Sequence, residues 1–424
     1  MAEPSAPVPQ PDMALAARLF ASLDANTKDT AGFTRASYGD GEQFAFDLMA
    51  RTAHEAGLLV DNDVAGNMYL TLKGRDPAKG TFVIGSHVDT VPQGGNFDGA
   101  AGVIAGISIL TAWKRAGFVP SGDVAVIVIR AEESTWFPYS YIGSKAALGL
   151  LPPAVLDIPR ADTGRALARH MQELGFDPTA VARGETRWTQ HNLRGYVELH
   201  IEQGPVLTRR DIPIALVTGI RGSFRYRDAR ILGEYGHSGA VPREYRHDAV
   251  VAAAHFISQL DHEWVRLAGE GHDLTVTIGK LFTDPQQHAF SKIAGEVDIC
   301  IDVRSHAKPT LDLMKKVVDR LADETSAKYR VRFDLGPQTG SEPAMMDPTL
   351  LDTFTNTAAR LGIAHIQMAS GAGHDAATFA HFGAPSAMIF VRNQHGSHNP
   401  DEAMEMDDFE LATRVLAEGV AALD

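Results

Sequence analysis

The sequence predicts an α/β protein. Its large domain carries a mixed, mostly parallel sheet with helices on both faces, interrupted by a smaller inserted α+β domain. Two observations predict this. Before residue 212, segments with helical apolar spacing alternate with strand-like ones, and the alternation resumes after residue 335. Between those points the order is strand, helix, strand, strand, helix, strand, that of a ferredoxin-like layer of one sheet and two helices.

Ala14 to Leu23 and Gly41 to Ala56 have helical spacing, and Leu58 to Asp61, Asn67 to Lys73 and Thr81 to Ser86 read as strands. Ala100 to Ala116 is an amphipathic helix, and Asp123 to Ala131, nearly all Val and Ile, is a buried strand. Leu151 to Gln190 reads as helical and polar, and Gly195 to Leu199 as a strand. In the insert, Arg227 to Leu232, Thr275 to Phe282, Glu296 to Val303 and Arg330 to Leu335 are strands, while Arg246 to Leu260 and Thr310 to Lys328 are helices. A helix at Leu350 to Leu361 and a buried strand at Ala384 to Val391 follow. The catalytic domain is expected at 13–211 and 336–424, and the insert at 212–335. Residues 1–12, with four prolines and no apolar stretch, are expected to form a disordered leader and not a signal peptide.

Composition narrows the function classes. A formal charge of −14 without a basic stripe argues against a nucleic-acid partner. Apolar runs such as Val124 to Ile129 are strand-sized, so no membrane span is expected. A lone cysteine, Cys300, excludes an intramolecular disulfide framework and fits a reducing compartment, so the expected location is the cytoplasm.

The chemistry lies in acids and imidazoles at strand ends. His87, in Gly85-Ser86-His87-Val88-Asp89-Thr90, follows the strand from Thr81, where open α/β sheets place their sites. Asp89 is positioned to accept the free ring N–H of His87, fixing its tautomer. Asp98 ends a glycine-rich turn running into the Ala100 helix, where alone it would be an ordinary N-terminal acid. Glu132 and Glu133 follow the next strand, and adjacent carboxylates there need a cation or a raised pKa. His200 ends the strand from Gly195, and His398 follows the strand from Ala384. Each is ordinary alone. Together they form an imidazole–carboxylate set suited to zinc, manganese or cobalt. An odd carboxylate can bridge two cations, and a spare Glu beside a ligand is a natural general base.

These motifs resemble metallopeptidase family twenty, the carboxypeptidase–aminoacylase group. Within it they are most similar to the branch of N-carbamoyl-L-amino-acid hydrolases, ureidopropionases and allantoate amidohydrolases. The matching stretches, GSHVDTVPQGGNFDG, EES.WF…GSKA, ELHIEQGPVL, GHSGAVP, IDVRS, SGAGHDAA and GSHNPDE, run in family order from residue 85 to 402. HIEQGPVL is the most diagnostic of that branch.

The resemblance implies two divalent metal ions per subunit, with His87 and His200 on one, Glu133 and His398 on the other, and Asp98 bridging. It implies Glu132 as general base and His237, from the small domain, as the group that polarises the scissile bond. Arg304 would clamp the substrate carboxylate as a fork. Gln203 and the loop Gly371, Ala372, Gly373 and His374 would line the substrate pocket. It implies a homodimer in which the small domain serves as dimerisation and lid domain, with His237 completing the partner's active site. The expected reaction is hydrolysis of a C–N bond in a small carboxylated substrate, an N-carbamoyl or N-acyl amino acid or a ureido acid.

Three departures bear on the substrate. After its base the branch has Glu-Gly-x-Arg-Phe; this chain has Glu133-Ser134-Thr135-Trp136-Phe137, with Tyr139 and Tyr141 beyond. Before Arg304 the branch reads Asn-Ala-x-Asn-Val-Ile-Pro-Gly, whereas His288 to Gly295 here lacks both asparagines. Gly219 to Arg230 is rich in Arg and includes Phe224 and Tyr226. The aromatic stretches motivate an alternative, hydrolytic deamination of an aromatic amino acid, as in the 5-nitroanthranilate aminohydrolases of this family. A non-catalytic binding protein of the same fold would have lost a ligand or the base, and none is lost here.

Overall fold

A run of Val and Ile with no polar break can only be a strand that is covered on both faces, and Asp123–Ile129 is buried at every position. In this computed structural model, which describes residues 7–423, that strand lies inside a nine-stranded sheet. The order from one edge is Leu59–Asn62, Met68–Leu72, Asp123–Ile129, Thr81–His87, Leu193–Ile201, Ser386–Val391, Ile214–Ile220 and Ala344–Met345, with His365–Ser370 also on Ile214–Ile220. The four from Asp123–Ile129 to Ser386–Val391 are parallel, and Met68–Leu72 on one side and Ile214–Ile220 on the other add antiparallel. Parallel strands need covered crossovers, which the helices supply.

Alternation assigns the two faces. Val197, Leu199 and Ile201 enter the core with Ile104, Ile107 and Trp113 of the helix Ala100–Arg115. Tyr196 faces the other way, stacked on Phe379 of the helix Asp375–Phe382 with ring centroids 3.8 Å apart. Helices therefore cover both faces.

The described chain forms two compact units, one within Met1–Thr218 and Met345–Asp424, the other within Gly219–Ala344. The joints lie beyond 211 and 335 because Ile214–Ile220 pairs with Ser386–Val391 and belongs to the large sheet.

In the smaller unit, Arg332–Asp334, Gly222–Leu232, Glu296–Ser305 and Thr275–Phe282 form an antiparallel sheet in that order, with Gln338–Ser341 also on Gly222–Leu232. Helices Ala249–Gly269 and Lys308–Tyr329 pack on it through Phe256, Leu260, Met314 and Val318. This is the ferredoxin-like arrangement. Thr275–Phe282 pairs with one strand among the described residues, leaving an edge beside exposed Leu281 and Phe282.

Three expectations are corrected. Of the leader, residues 1–6 lie outside the described residues, but the rest is not disordered. Val8 packs on the core, and Asp12 caps the helix Met13–Thr27 through Leu15 N at 2.9 Å and pairs with Arg115 at 2.9 Å. Leu151 to Gln190 is not mainly helical. Gly164, Gly175 and Gly184 take positive φ and break it into short helices at Leu167–Glu173 and Pro178–Ala182. Its Leu151, Leu156, Leu167 and Met171 bury themselves with Trp136 and Phe137. Four of the aromatics are core: Trp136 and Phe137 fill that cluster, with Tyr139 half-buried against it, and Phe224 and Tyr226 fill the core of the smaller unit, while Tyr141 sets its hydroxyl against Gly373. The arginines beside them are spent on ion pairs, Arg221 with Asp273, Arg225 with Asp302 and Arg230 with Glu296. No described helix is long and apolar enough to cross a membrane.

Candidate metal centre

Because Val197, Leu199 and Ile201 face the core, Glu198 and His200 emerge together on the opposite side of their strand. His200 lies beside His87, the last residue of Thr81–His87, with ring centroids 5.8 Å apart. Asp98 reaches between them from the turn before the Ala100 helix. Its Oδ1 is 3.1 Å from His200 Nε2 and 3.7 Å from His87 Nε2. Its Oδ2 is 3.3 Å from His398 Nε2, which is itself 3.3 Å from Glu133 Oε1. Two triads close enough for single cations, His87–Asp98–His200 and Asp98–Glu133–His398, thus share Asp98.

Hydrogen bonding fixes the imidazoles. His87 Nδ1 faces the main-chain oxygen of Asp89 at 3.1 Å and its Oδ1 at 3.3 Å, both acceptors, so Nδ1 carries the proton. His200 Nδ1 donates to Ile201 O at 2.9 Å. In the neutral rings both Nε2 lone pairs then point at Asp98 Oδ1, a buried oxygen with no hydrogen-bond partner. Lone pairs converging in a dry site repel unless a cation lies among them, so the donor set fits a divalent metal. With protons in place of metal, burial disfavours charge on His87 and His200, yet the carboxylates around them raise both pKa values. Hydrogen bonds to Asp98 and Glu133 lift His398 to about 11. Burial pushes the Asp98 carboxyl up, but His200 and His398 overcome it and hold it well below the usual range.

The two glutamates are presented by a turn at the end of Asp123–Ile129 in which Ala131 takes φ 49°. That left-handed conformation costs roughly 1 kcal/mol or more and persists only where neighbours impose it. Here Glu42 accepts Ala131 N at 2.9 Å and Arg130 Nη1 at 2.6 Å, while Asp89 accepts Glu132 N and Glu133 N at 3.1 Å each. Glu132 Oε2 then lies 3.9 Å from His87 Nε2. Burial raises its carboxyl well above the usual range, against the pull of His87 and with the help of Glu133, Asp375 and Asp89.

The model of peptidase family M20/M25/M40 matches residues 83–422. The chain belongs to this family. It is 32% identical over 401 residues to an N-carbamoyl-L-amino acid amidohydrolase of Geobacillus stearothermophilus, covering 94% of this chain and 95% of that one. It is 32% identical over 372 residues to the allantoate amidohydrolase of Escherichia coli (strain K12), covering 87% and 85%. A solved hydantoinase/carbamoylase family amidase from Burkholderia ambifaria superposes with a TM-score of 0.86 at 28% identity over 98% of each chain. These relatives are amidohydrolases acting on C–N bonds other than peptide bonds, the reaction class the motifs imply.

Around this M20 centre the structure adds groups to which the sequence reading gave no role. Ser397 Oγ lies 2.6 Å from Asp98 Oδ2 and 2.5 Å from Glu402 Oε2, and Glu402 Oε1 accepts Phe97 N and Asp98 N at 2.9 and 3.2 Å. Burial and the charge of Asp98 raise Glu402 to about 7. A Cβ on Gly95 would sit 2.0 Å from the Glu402 carboxyl, so only glycine allows this approach. Behind His200, Glu198 accepts Ser86 Oγ at 2.7 Å and Ala376 N at 2.8 Å. Glu198 stands two residues before His200, so strand periodicity could have placed it beside the site; Arg35, Glu42 and Asp375, fully buried, carried no such signal.

The residues implied for substrate divide by unit. Gln203 Nε2 donates to Asp98 Oδ2 at 2.9 Å, touching the centre itself. His374 is buried edge-on against His200, with its Nε2 2.9 Å from Ser370 Oγ, and burial followed by His200 holds its pKa well down. Ser370 also bonds Ala372 O at 2.8 Å, shaping the Gly371–Gly373 turn, and the Tyr141 hydroxyl occupies the place a Cβ on Gly373 would take. In the smaller unit, His237 is exposed and its Nδ1 accepts from Gly239 N and Ala240 N at 3.1 and 3.2 Å. A neutral ring so held presents Nε2–H as a donor. Arg304 lies on the half-exposed face of Glu296–Ser305, its Nη2 2.9 Å from Asp302 Oδ2.

Proposed function

We propose that this protein hydrolyses an N-carbamoyl amino acid or a related ureido acid through a centre of two divalent cations. The observation that carries this reading is the shared Asp98, whose Oδ1 faces the imidazoles of His87 and His200 while its Oδ2 faces His398. His87 and His200 would hold one ion and Glu133 and His398 the other, with Asp98 between. The ions would supply Lewis acidity toward the carbonyl oxygen and lower the pKa of water.

The chain's own groups do the rest. Glu132, kept basic by burial beside other carboxylates, takes the proton of the attacking water and returns it to the leaving nitrogen. His237 donates from Nε2 to the developing oxyanion, Arg304 clamps the substrate carboxylate, and Gln203 with Gly371, Ala372, Gly373 and His374 shapes the pocket. The functional unit is a homodimer with composite sites, formed through the open edge of Thr275–Phe282, because exposed edges are usually paired. A cytoplasmic location belongs to the same reading, through the single Cys300. Trp136, Phe137, Phe224 and Tyr226 are buried in cores and lend no support to an aryl-amine substrate.

A panel of carbamoyl amino acids, ureido acids, acyl amino acids and aryl amines, assayed for ammonia or amine release with metal-replete protein, tests the reading. Release from carbamoyl or ureido acids that disappears in Glu132→Gln, with metal content kept, is the expected result. Turnover of aryl amines alone, or full activity in Glu132→Gln, overturns it.

A further inference from the structure

Arg35 is fully buried, and among the described residues no carboxylate lies within ion-pair distance of it. A guanidinium out of water without a paired anion is costly, and an apolar side chain of similar length would fill the space at less cost. Its contacts show where it is spent. Nε donates to Val88 O at 2.5 Å, next to His87. Nη1 donates to Asn96 Oδ1 at 3.0 Å and Nη2 to Asn96 O at 3.4 Å, two residues before Asp98. Its main chain exchanges hydrogen bonds with Thr90 in both directions, N to Thr90 Oγ1 at 2.9 Å and O from Thr90 N at 3.0 Å. Two residues on, Ser37 Oγ donates to Asp89 at 2.6 Å.

One short segment thus backs both loops that present ligands to the first triad. The geometry points to Arg35 as a positioning residue that fixes the loop after His87 against the loop before Asp98 and thereby sets the metal affinity of the His87–Asp98–His200 site. A planar fork reaching two carbonyls and an amide cannot be replaced by an ammonium, which bonds as a point. Burial lowers the Arg35 pKa to about 10, and the negative charges of Glu402, Asp89 and Asp98 limit the fall, so the group stays charged. The cation and the acidic site therefore stabilise each other.

This rests on the proposed ligand set, and the test separates the two. Metal-free wild type, His87→Ala, Arg35→Gln and Arg35→Lys are titrated with Zn²⁺ or Mn²⁺ against a competing chelator, and the melting temperature of each metal-free protein is measured. Both Arg35 variants are expected to lose about 10–100-fold in affinity at one of two sites, the scale of outer contacts to metal ligands, beyond any loss of metal-free stability. Should Arg35→Gln not fold, Arg35→Lys alone decides, because it keeps the charge and loses only the fork. Wild-type affinity in the folded Arg35 variants, or a loss matching the lost metal-free stability, overturns the inference. Wild type and His87→Ala binding alike overturns the ligand set instead.

Discussion

Asp89 Oδ2 accepts the main-chain N–H of Glu133 at 3.1 Å, while Oδ1 of the same carboxylate takes that of Glu132 at 3.1 Å. One side chain therefore orients both glutamates and also lies 3.3 Å, through Oδ1, from Nδ1 of His87 on the neighbouring strand. Its expected role was the imidazole alone. The shorter contact to that ring comes from the Asp89 main chain, which leaves the carboxylate for the turn.

Removing that carboxylate should loosen the base and a ligand together. Asp89→Ala is expected to lose about 10–100-fold in activity and in metal affinity. Asp89→Asn, which keeps one carbonyl acceptor, should fall between. Parallel metal analysis and kcat measurements check this, and wild-type values for both in Asp89→Ala would contradict it.

Gly95 lies where a methyl group would enter the Glu402 carboxyl. Gly95→Ala should displace Glu402 from the Phe97 and Asp98 amides and cost about 1–3 kcal/mol, as overpacking does. Urea denaturation reads the cost, and metal content should fall with it. A stable, metal-replete variant would show that the turn can yield.

If His237 completes the partner's site, two inactive variants can rescue each other. Mixing His237→Ala with Glu132→Gln under conditions of verified subunit exchange should restore roughly a quarter of wild-type activity, since half the dimers are mixed and half their sites intact. No recovery would assign His237 to its own chain or remove it from catalysis.

In the smaller unit, Asp273 receives the fork of Arg221 and the main-chain N–H of His306 at 3.0 Å. Burial would raise its carboxyl, but these partners bring it from an ordinary 3.8 to about 2. The folded value lies below the unfolded one, so the stabilisation is present above about pH 4 and is lost as pH falls toward 2. Thermal melts from pH 7 to 2 should show wild type more stable than Asp273→Asn at neutral pH, with the gap closing over that interval. A gap independent of pH would mean that packing, and not the ion pair, is at work.

The motifs made the centre legible because three of the five proposed ligands sit at or just past the end of a strand whose apolar pattern is strong: His87 after Thr81, Glu133 after Asp123, His200 after Leu193. Periodicity also yielded the ferredoxin-like order of the insert. It failed at Leu151 to Gln190, where apolar residues converge on Trp136 from irregular chain and leave no period to read. It failed equally at Trp136 and Phe137, since an aromatic in a pocket wall and one in a core have the same composition.

By itself, then, the sequence determined which groups could bind metal, because ligand chemistry belongs to residue types and strand ends mark where they cluster. Only the tertiary structure decided which groups orient them. Arg35, Glu42, Glu198 and Glu402 act through hydrogen bonds to residues up to 305 positions away, as Glu402 does to Phe97. Such partners are chosen by how the sheet and its loops close in space, and a buried charge far along the chain carries no local pattern that announces them.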